Sequence, residues 1–207
     1  LSGISAGLLF YTSVYYWTFI YAGLFALLII ELFRKRLDNA KNFLFIYFIS
    51  FITGIPYLLS AAALNKLPYF SEIFLRGGGL YTHQHILPIM EIITLFFLVI
   101  MRFVFKEKKE YLYYMFSFVA AGLMCLNQQV ITGKTVEPMH WQSYTNKVFI
   151  IICLFTCASF ILKSKKAKLL NFAFLFYPAC FLFLALGTIQ QNLYYSARSG
   201  IFRGLQG

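Results

Sequence analysis

The stretch from Tyr11 to Arg36, YTSVYYWTFIYAGLFALLIIELFRKR, decides the fold. It opens on Tyr11, Tyr15, Tyr16 and Trp17, runs uncharged to Ile30, and ends on Arg34, Lys35 and Arg36. A helix needs about 20 apolar residues to cross a hydrocarbon core roughly 30 Å thick. Aromatic belts mark the headgroup level, and basic residues mark the cytoplasmic margin. The stretch therefore reads as a membrane span over 11–30. Working outward, five more nearly uncharged runs follow, giving expected spans at 11–30, 43–64, 86–101, 111–126, 148–162 and 169–188. The expected fold class is all-α and integral to the membrane, a bundle of six transmembrane helices forming one polytopic domain over 1–207. Because the chain opens on Leu1 and lacks a basic segment leading to a cleavage site, it reads as a fragment of a larger polytopic protein.

Composition agrees with this reading. Of the 207 residues, 60% are apolar, 20% aromatic and 12% charged, with a mean hydropathy of +0.73. The 25 Phe and 15 Tyr exceed what a soluble core of this size can hide, whereas a bilayer accepts apolar surface on every side of a helix. A soluble enzyme and a disordered tail are excluded. The net charge of +11 does not point to nucleic acid, because the cations sit in short clusters between apolar runs and leave no folded basic surface. Cys125, Cys153, Cys157 and Cys180 all lie within apolar runs without a second ligand pair, so they read as lipid-facing or packing residues.

The basic residues also fix an expected sidedness. They alternate four and two along the successive connections: Arg34, Lys35, Arg36 and Lys41; Lys66 and Arg76; Arg102, Lys106, Lys108 and Lys109; Lys134 and Lys147; Lys163, Lys165, Lys166 and Lys168; then Arg198 and Arg203. By the positive-inside rule the three short, basic turns face the cytoplasm and the longer connections face outward. The basic turns, with Asp38, Glu107 and Glu110, read as solvated connectors.

All three histidines then fall on the outer side. Three polar clusters lie at equivalent depth: Thr82 to His85 with Gln84 between the imidazoles of His83 and His85, Asn127 with Gln128 and Gln129, and Gln190 with Gln191 and Asn192. Amides and imidazoles supply donors and acceptors without permanent charge, which suits the hydroxyls of a sugar or a neutral headgroup. Helix capping and hydration are the plain alternative for each cluster. Glu91 is five positions past Ile86, about 7.5 Å below the outer start of the third expected span, where a carboxyl is costly and is a functional candidate by default. The three histidines lack an acidic or thiol ligand at suitable spacing, so no metal site is expected, and no cofactor. Thr132 to Thr135 mimics the tail of a phosphate-binding loop, but Gln128 stands where its first glycine belongs. The run Gly77 to Gly79 reads as a loop tip, and Pro56 and Pro178 as bends within spans.

The connection Asn127-Gln128-Gln129-Val130-Ile131-Thr132-Gly133, followed by Pro138-Met139-His140-Trp141, resembles a pattern of polytopic bacterial membrane proteins, some of which are similar to the GT-C class of glycosyltransferases. The resemblance spans about twenty residues and otherwise rests on hydropathy. It implies a bacterial inner-membrane location, a polyprenyl-phosphate sugar as partner besides membrane lipid, and chemistry on the outer face. That class carries a catalytic acid in its first outer loop, and this chain has no Asp outside, only Glu72, Glu91 and Glu137.

On this reading Glu91 or Glu137 serves as base or orients the acceptor. His83, His85, Asn127, Gln128, Gln129, His140, Trp141, Gln190 and Gln191 contact the sugar, the indole stacking on its apolar face. Two other classes compete. A transporter or channel predicts further ionisable groups at mid-membrane depth, which the sequence hardly offers. A structural membrane subunit predicts that the Asn127 to Trp141 connection tolerates substitution.

Overall fold

A computed structural model describes residues 1–76, 79–136, 139–163 and 189. The elements are α1 (Ser2–Leu8) with a 3₁₀ turn (Leu9–Tyr11), α2 (Val14–Phe33), α3 (Leu37–Leu64), α4 (Phe70–Arg76), β1 (Gly79–Tyr81) and α5 (Ile89–Val104). A second 3₁₀ turn (Lys106–Lys108) follows, then α6 (Lys109–Asn127), α7 (Gln129–Thr132), β2 (Lys134–Val136), α8 (Met139–Trp141), a π-helical turn (Gln142–Asn146) and α9 (Lys147–Lys163).

The described chain is helical apart from one short antiparallel ribbon, β1 with β2. Four helical stretches are long and apolar enough to cross a membrane: Val14–Phe33, Leu37–Leu64, Lys106–Thr132 and Ser143–Lys163. They correspond to the first, second, fourth and fifth expected spans. The third differs. Pro88 has no N–H to give and disfavours helical backbone at Leu87, so α5 begins at Ile89 rather than 86. Its 16 residues reach about 24 Å. The sixth expected span, 169–188, lies outside the described residues, as do Pro178 and Cys180.

The uncharged run 1–30 is also divided. Ser13 takes an extended backbone and its Oγ accepts from the Tyr15 N–H, an N-cap that starts α2 afresh and leaves α1 as a separate short helix. Small residues let α1 lie close along α3. A Cβ at Gly3 would overlap the Ile49 side chain, and one at Gly7 would overlap Thr53 and the Ser50 carbonyl. The Phe10 ring covers Gly54 and meets Trp17, Tyr21 and Tyr57 at centroid distances of 4.9, 5.0 and 5.8 Å. Gly54→Leu should displace that ring and destabilise the protein by about 1–3 kcal/mol, whereas Leu at the exposed Ile55 should be neutral. Reversible unfolding in mixed micelles measures both.

α2 and α6 form the most extensive helix pair and run antiparallel, with Gly23 receiving the Phe118 ring. One core cluster joins α2 to α6 and α8 through Tyr15, Phe19, Ala121, Cys125, Leu126 and Trp141. Another joins α5, α6 and α9 through Leu98, Met101, Leu112, Val119, Cys153, Cys157 and Ile161. The three described cysteines are thus packing residues. The outer surface of the helices stays apolar, as at Phe45, Phe48 and Phe51 of α3, Phe96 and Phe103 of α5 and Phe155 of α9.

Candidate functional site

The antiparallel α2–α6 pair gives the bundle two unlike ends. One carries Arg34, Arg36 and Glu110, joined by hydrogen bonds of 2.6–3.1 Å. The other carries the imidazoles and amides.

Pro88 keeps Thr82 to Leu87 out of the helix, so this segment needs other partners for its backbone. It finds them on the α6–α7 turn. β1 pairs with β2 in the register Gly79↔Val136, Leu80↔Thr135 and Tyr81↔Lys134, and the Thr82 N–H donates to the Gly133 carbonyl at 3.0 Å. Gly133 closes α7 in the left-handed conformation (φ 68°), which glycine adopts without strain. The absent side chain also leaves room for His83, whose Nε2 would stand 3.0 Å from a Cβ there. His83 Nδ1 lies 3.1 Å from the Val130 carbonyl. A carbonyl only accepts, so this nitrogen carries the proton and, in the neutral ring, leaves Nε2 as an acceptor.

Asn127 and Gln129 complete the join. Asn127 Oδ1 accepts from the Ile86 N–H at 2.8 Å, and Gln129 Nε2 donates to the Gln84 carbonyl at 3.0 Å. Two of the three expected polar clusters therefore meet. The third, Gln190 to Asn192, lies outside the described residues, and so does Glu137. Within the pair the roles divide. Gln129 is buried and Asn127 half-buried, and both hold backbone, while His83, Gln84 and His85 are exposed and Gln128 is half-buried.

His140 and Trp141 of α8 face α2. His140 Nδ1 is 2.8 Å from the Tyr15 hydroxyl, and the two rings meet edge to face at 5.1 Å. Trp141 is fully buried; its Nε1 donates to Thr18 Oγ1 at 2.9 Å and its ring stands edge-on to Tyr15 at 4.8 Å. The indole thus packs in the core, with no face presented to solvent.

Below this lies a polar node for which the sequence points to Glu91 but not to Asn146 and Thr145. Glu91 is only 1% exposed, although it stands in the first turn of α5. Depth along the helix does not hide it; Asn146 does. Asn146 Nδ2 donates to Glu91 Oε1 at 2.7 Å, Thr145 Oγ1 to Asn146 Oδ1 at 3.1 Å, and the same Thr145 hydroxyl lies 2.8 Å from the Trp141 carbonyl. The π-helical turn Gln142–Asn146 delivers both residues, a form often found at functional sites. Glu91 Oε2 is buried without a hydrogen-bond partner among the described residues. The missed signal was the polar pair Thr145-Asn146 just ahead of the fifth apolar run, facing the small residue Gly122 of α6.

Chemically, this end offers amides and imidazoles on its surface beside the exposed Lys134, and one sheltered carboxyl beneath them. Among the described residues, no three His, Cys, Asp or Glu are placed to hold a metal ion. Compared with protein-family models, curated proteins and solved structures, the chain matches none.

Proposed function

We propose that this chain is a six-span protein of the bacterial inner membrane that acts in lipid-linked glycan assembly, a GT-C-like glycosyltransferase segment whose imidazole and amide end faces outward. The observation that carries the reading is the meeting of Thr82 to Ile86 with Asn127 to Gly133 at the end opposite the Arg34–Glu110 cluster. It leaves the imidazoles of His83 and His85 and the amides of Gln84 and Gln128 as donors and acceptors, groups that suit a hydroxyl-rich sugar or polyprenyl-phosphate sugar. Four helices of spanning length, the apolar outer surface and the alternation of basic residues support insertion with this sidedness.

Within this reading Glu137 is the candidate base. Glu91, tied to Asn146 and closed off from solvent, is a positioning residue beneath the acceptor site. Glu137→Gln should lower glycan transfer by about 10²-fold or more. His85→Ala and Gln128→Ala should raise KM several-fold with little change in kcat, because each removes a contact made equally before and during reaction.

The Glu91–Asn146 node also favours a second reading, a transporter or channel, since intramembrane carboxyls often mark solute paths. Transfer and solute uptake measured in the same membranes separate the two. Loss of uptake in Glu91→Gln with transfer intact selects the transporter, and normal values for every variant select a structural subunit. Cysteine labelling at positions 35 and 140 tests sidedness, and labelling of both from one compartment overturns the scheme.

A further inference from the structure

At the opposite end of the bundle, α2, α5 and α6 enclose a groove of about 200 Å³ that opens on the lipid-accessible surface. Leu98 and Leu112, both buried, form its floor, and Ile30, Phe103 and Phe116 line it. Phe103 is 72% exposed, so the groove is open along the side of the bundle. Arg102 and Tyr113 also line it, through their carbon atoms, so that the surface of the groove itself is apolar throughout. Arg102 lies one turn beyond Leu98 on α5, at the level where the other cations of this end begin.

Charge singles out Arg102. Its neighbour Arg34 is fully engaged, giving hydrogen bonds to Glu31 and to both oxygens of Glu110, and Arg36 also bonds Glu110. Arg102 has, among the described residues, only Tyr113, with Nε 3.4 Å from the hydroxyl and the guanidinium carbon 5.6 Å from the ring centroid. Among the described residues, no carboxylate stands within 4 Å of it. A guanidinium presents a planar fork that matches two oxygens of a phosphate. An apolar trough bordered by a residue with such an uncommitted fork suits a molecule with a hydrocarbon tail and an anionic head.

We propose that this groove is a binding site for an anionic phospholipid of the leaflet at the basic end, with acyl chain against Leu98, Leu112 and Phe116 and phosphate on Arg102. The proposal goes beyond glycan assembly and rests only on membrane insertion, which flotation of the protein with vesicles reads separately.

The test is native mass spectrometry of the delipidated full chain, titrated with phosphatidylglycerol or phosphatidylcholine of identical acyl chains. Both lipids offer the phosphate, but the quaternary ammonium of phosphatidylcholine offsets its charge, so wild type should retain phosphatidylglycerol about tenfold more tightly. Arg102→Gln should reduce it to the phosphatidylcholine level. Val99→Trp, which fills the groove from its lipid-accessible wall and leaves every charge in place, should weaken both lipids. Lys41→Gln, on a solvated lysine away from the groove, should change nothing. The site is refuted by equal retention of the two lipids in wild type, by unchanged retention in either groove variant, by an equal loss in Lys41→Gln, or by displacement with inorganic phosphate.

Discussion

Gly122→Val is expected to destabilise the protein by about 2–4 kcal/mol, a large effect for one added side chain in a helix. The reason is local. A Cβ at Gly122 would stand 2.9 Å from Cγ and Nδ2 of Asn146, so that side chain must move. Asn146 is 2% exposed and its amide is engaged on both atoms, with Glu91 Oε1 at 2.7 Å and Thr145 Oγ1 at 3.1 Å. Moving it leaves the Glu91 carboxyl without a donor. Hydrogen bonds between membrane helices average only about 0.6 kcal/mol, so the lost bond is the smaller part. Overpacking, about 1–3 kcal/mol, and the stranded buried carboxyl, of similar size, supply the rest. A cycle with Asn146→Ala isolates the contact. In that background the three nearest atoms that a Cβ at position 122 would meet are gone and Gly122→Ala should cost less than in wild type, giving a coupling of about 1–3 kcal/mol by reversible unfolding in mixed micelles. A Gly122→Val protein as stable as wild type, or two additive effects in the cycle, removes the node from any account of this end.

The same node shows where the sequence stops being readable. Helices are legible because their cause is local: uncharged runs of spanning length act through neighbouring residues, although the expected span 11–30 passed over the Ser13 cap that starts α2. Pro88 was legible too, yet the span at 86–101 ignored it and placed Glu91 a turn too deep, so the structure assigns its burial to a different cause. The meeting of Thr82 to His85 with Asn127 to Gln129 followed from equal depth at one bundle end, and hydrogen bonds join them. Depth, however, does not tell which polar groups hold backbone and which are left for a ligand. Gln129 and Trp141 look like contact residues in a list of polar and aromatic side chains, and only packing shows that one secures Gln84 and the other fills the core beside Tyr15. Asn146 stayed hidden because an amide ahead of an apolar run resembles a solvated helix end. Its burial depends on Gly122, 24 positions earlier and on another helix. Glu137, Gln190 and Gln191 lie outside the described residues.

Arg34→Ala should cost about 3–5 kcal/mol, the penalty for removing one partner of a buried ion pair, although the basic turn reads in sequence as a solvated connector. Arg34 is only 15% exposed at its side chain, stacks 4.3 Å from the Tyr113 ring centroid, and gives Nη1 to Glu31 at 2.6 Å. Glu31 is buried and would keep a single donor, Asn39 Nδ2 at 2.8 Å. The hydrogen bond with the Glu110 carboxylate holds the Arg34 guanidinium above its already high ordinary pKa, so no accessible rise in pH switches the pair off. The outer pair behaves differently. Arg36 and Glu110 are 41% and 42% exposed, and Arg36→Ala should cost at most about 1 kcal/mol, falling with added salt. Arg34→Lys keeps the charge but cannot fork onto both oxygens of Glu110, so it should recover only part of the loss. The decisive variant replaces both buried partners with leucine. If the cost of Arg34→Ala is the stranded charge on Glu31, the Glu31→Leu, Arg34→Leu double variant is more stable than Arg34→Ala, because no buried ion remains and the exposed Asn39 returns to water. If instead the double variant is the less stable of the two, Asn39 alone satisfies Glu31 and the cost of Arg34→Ala is not a stranded charge. Arg34 would then hold α2 against α6 by the strength of its bonds to Glu110, and the prediction for Glu31 fails.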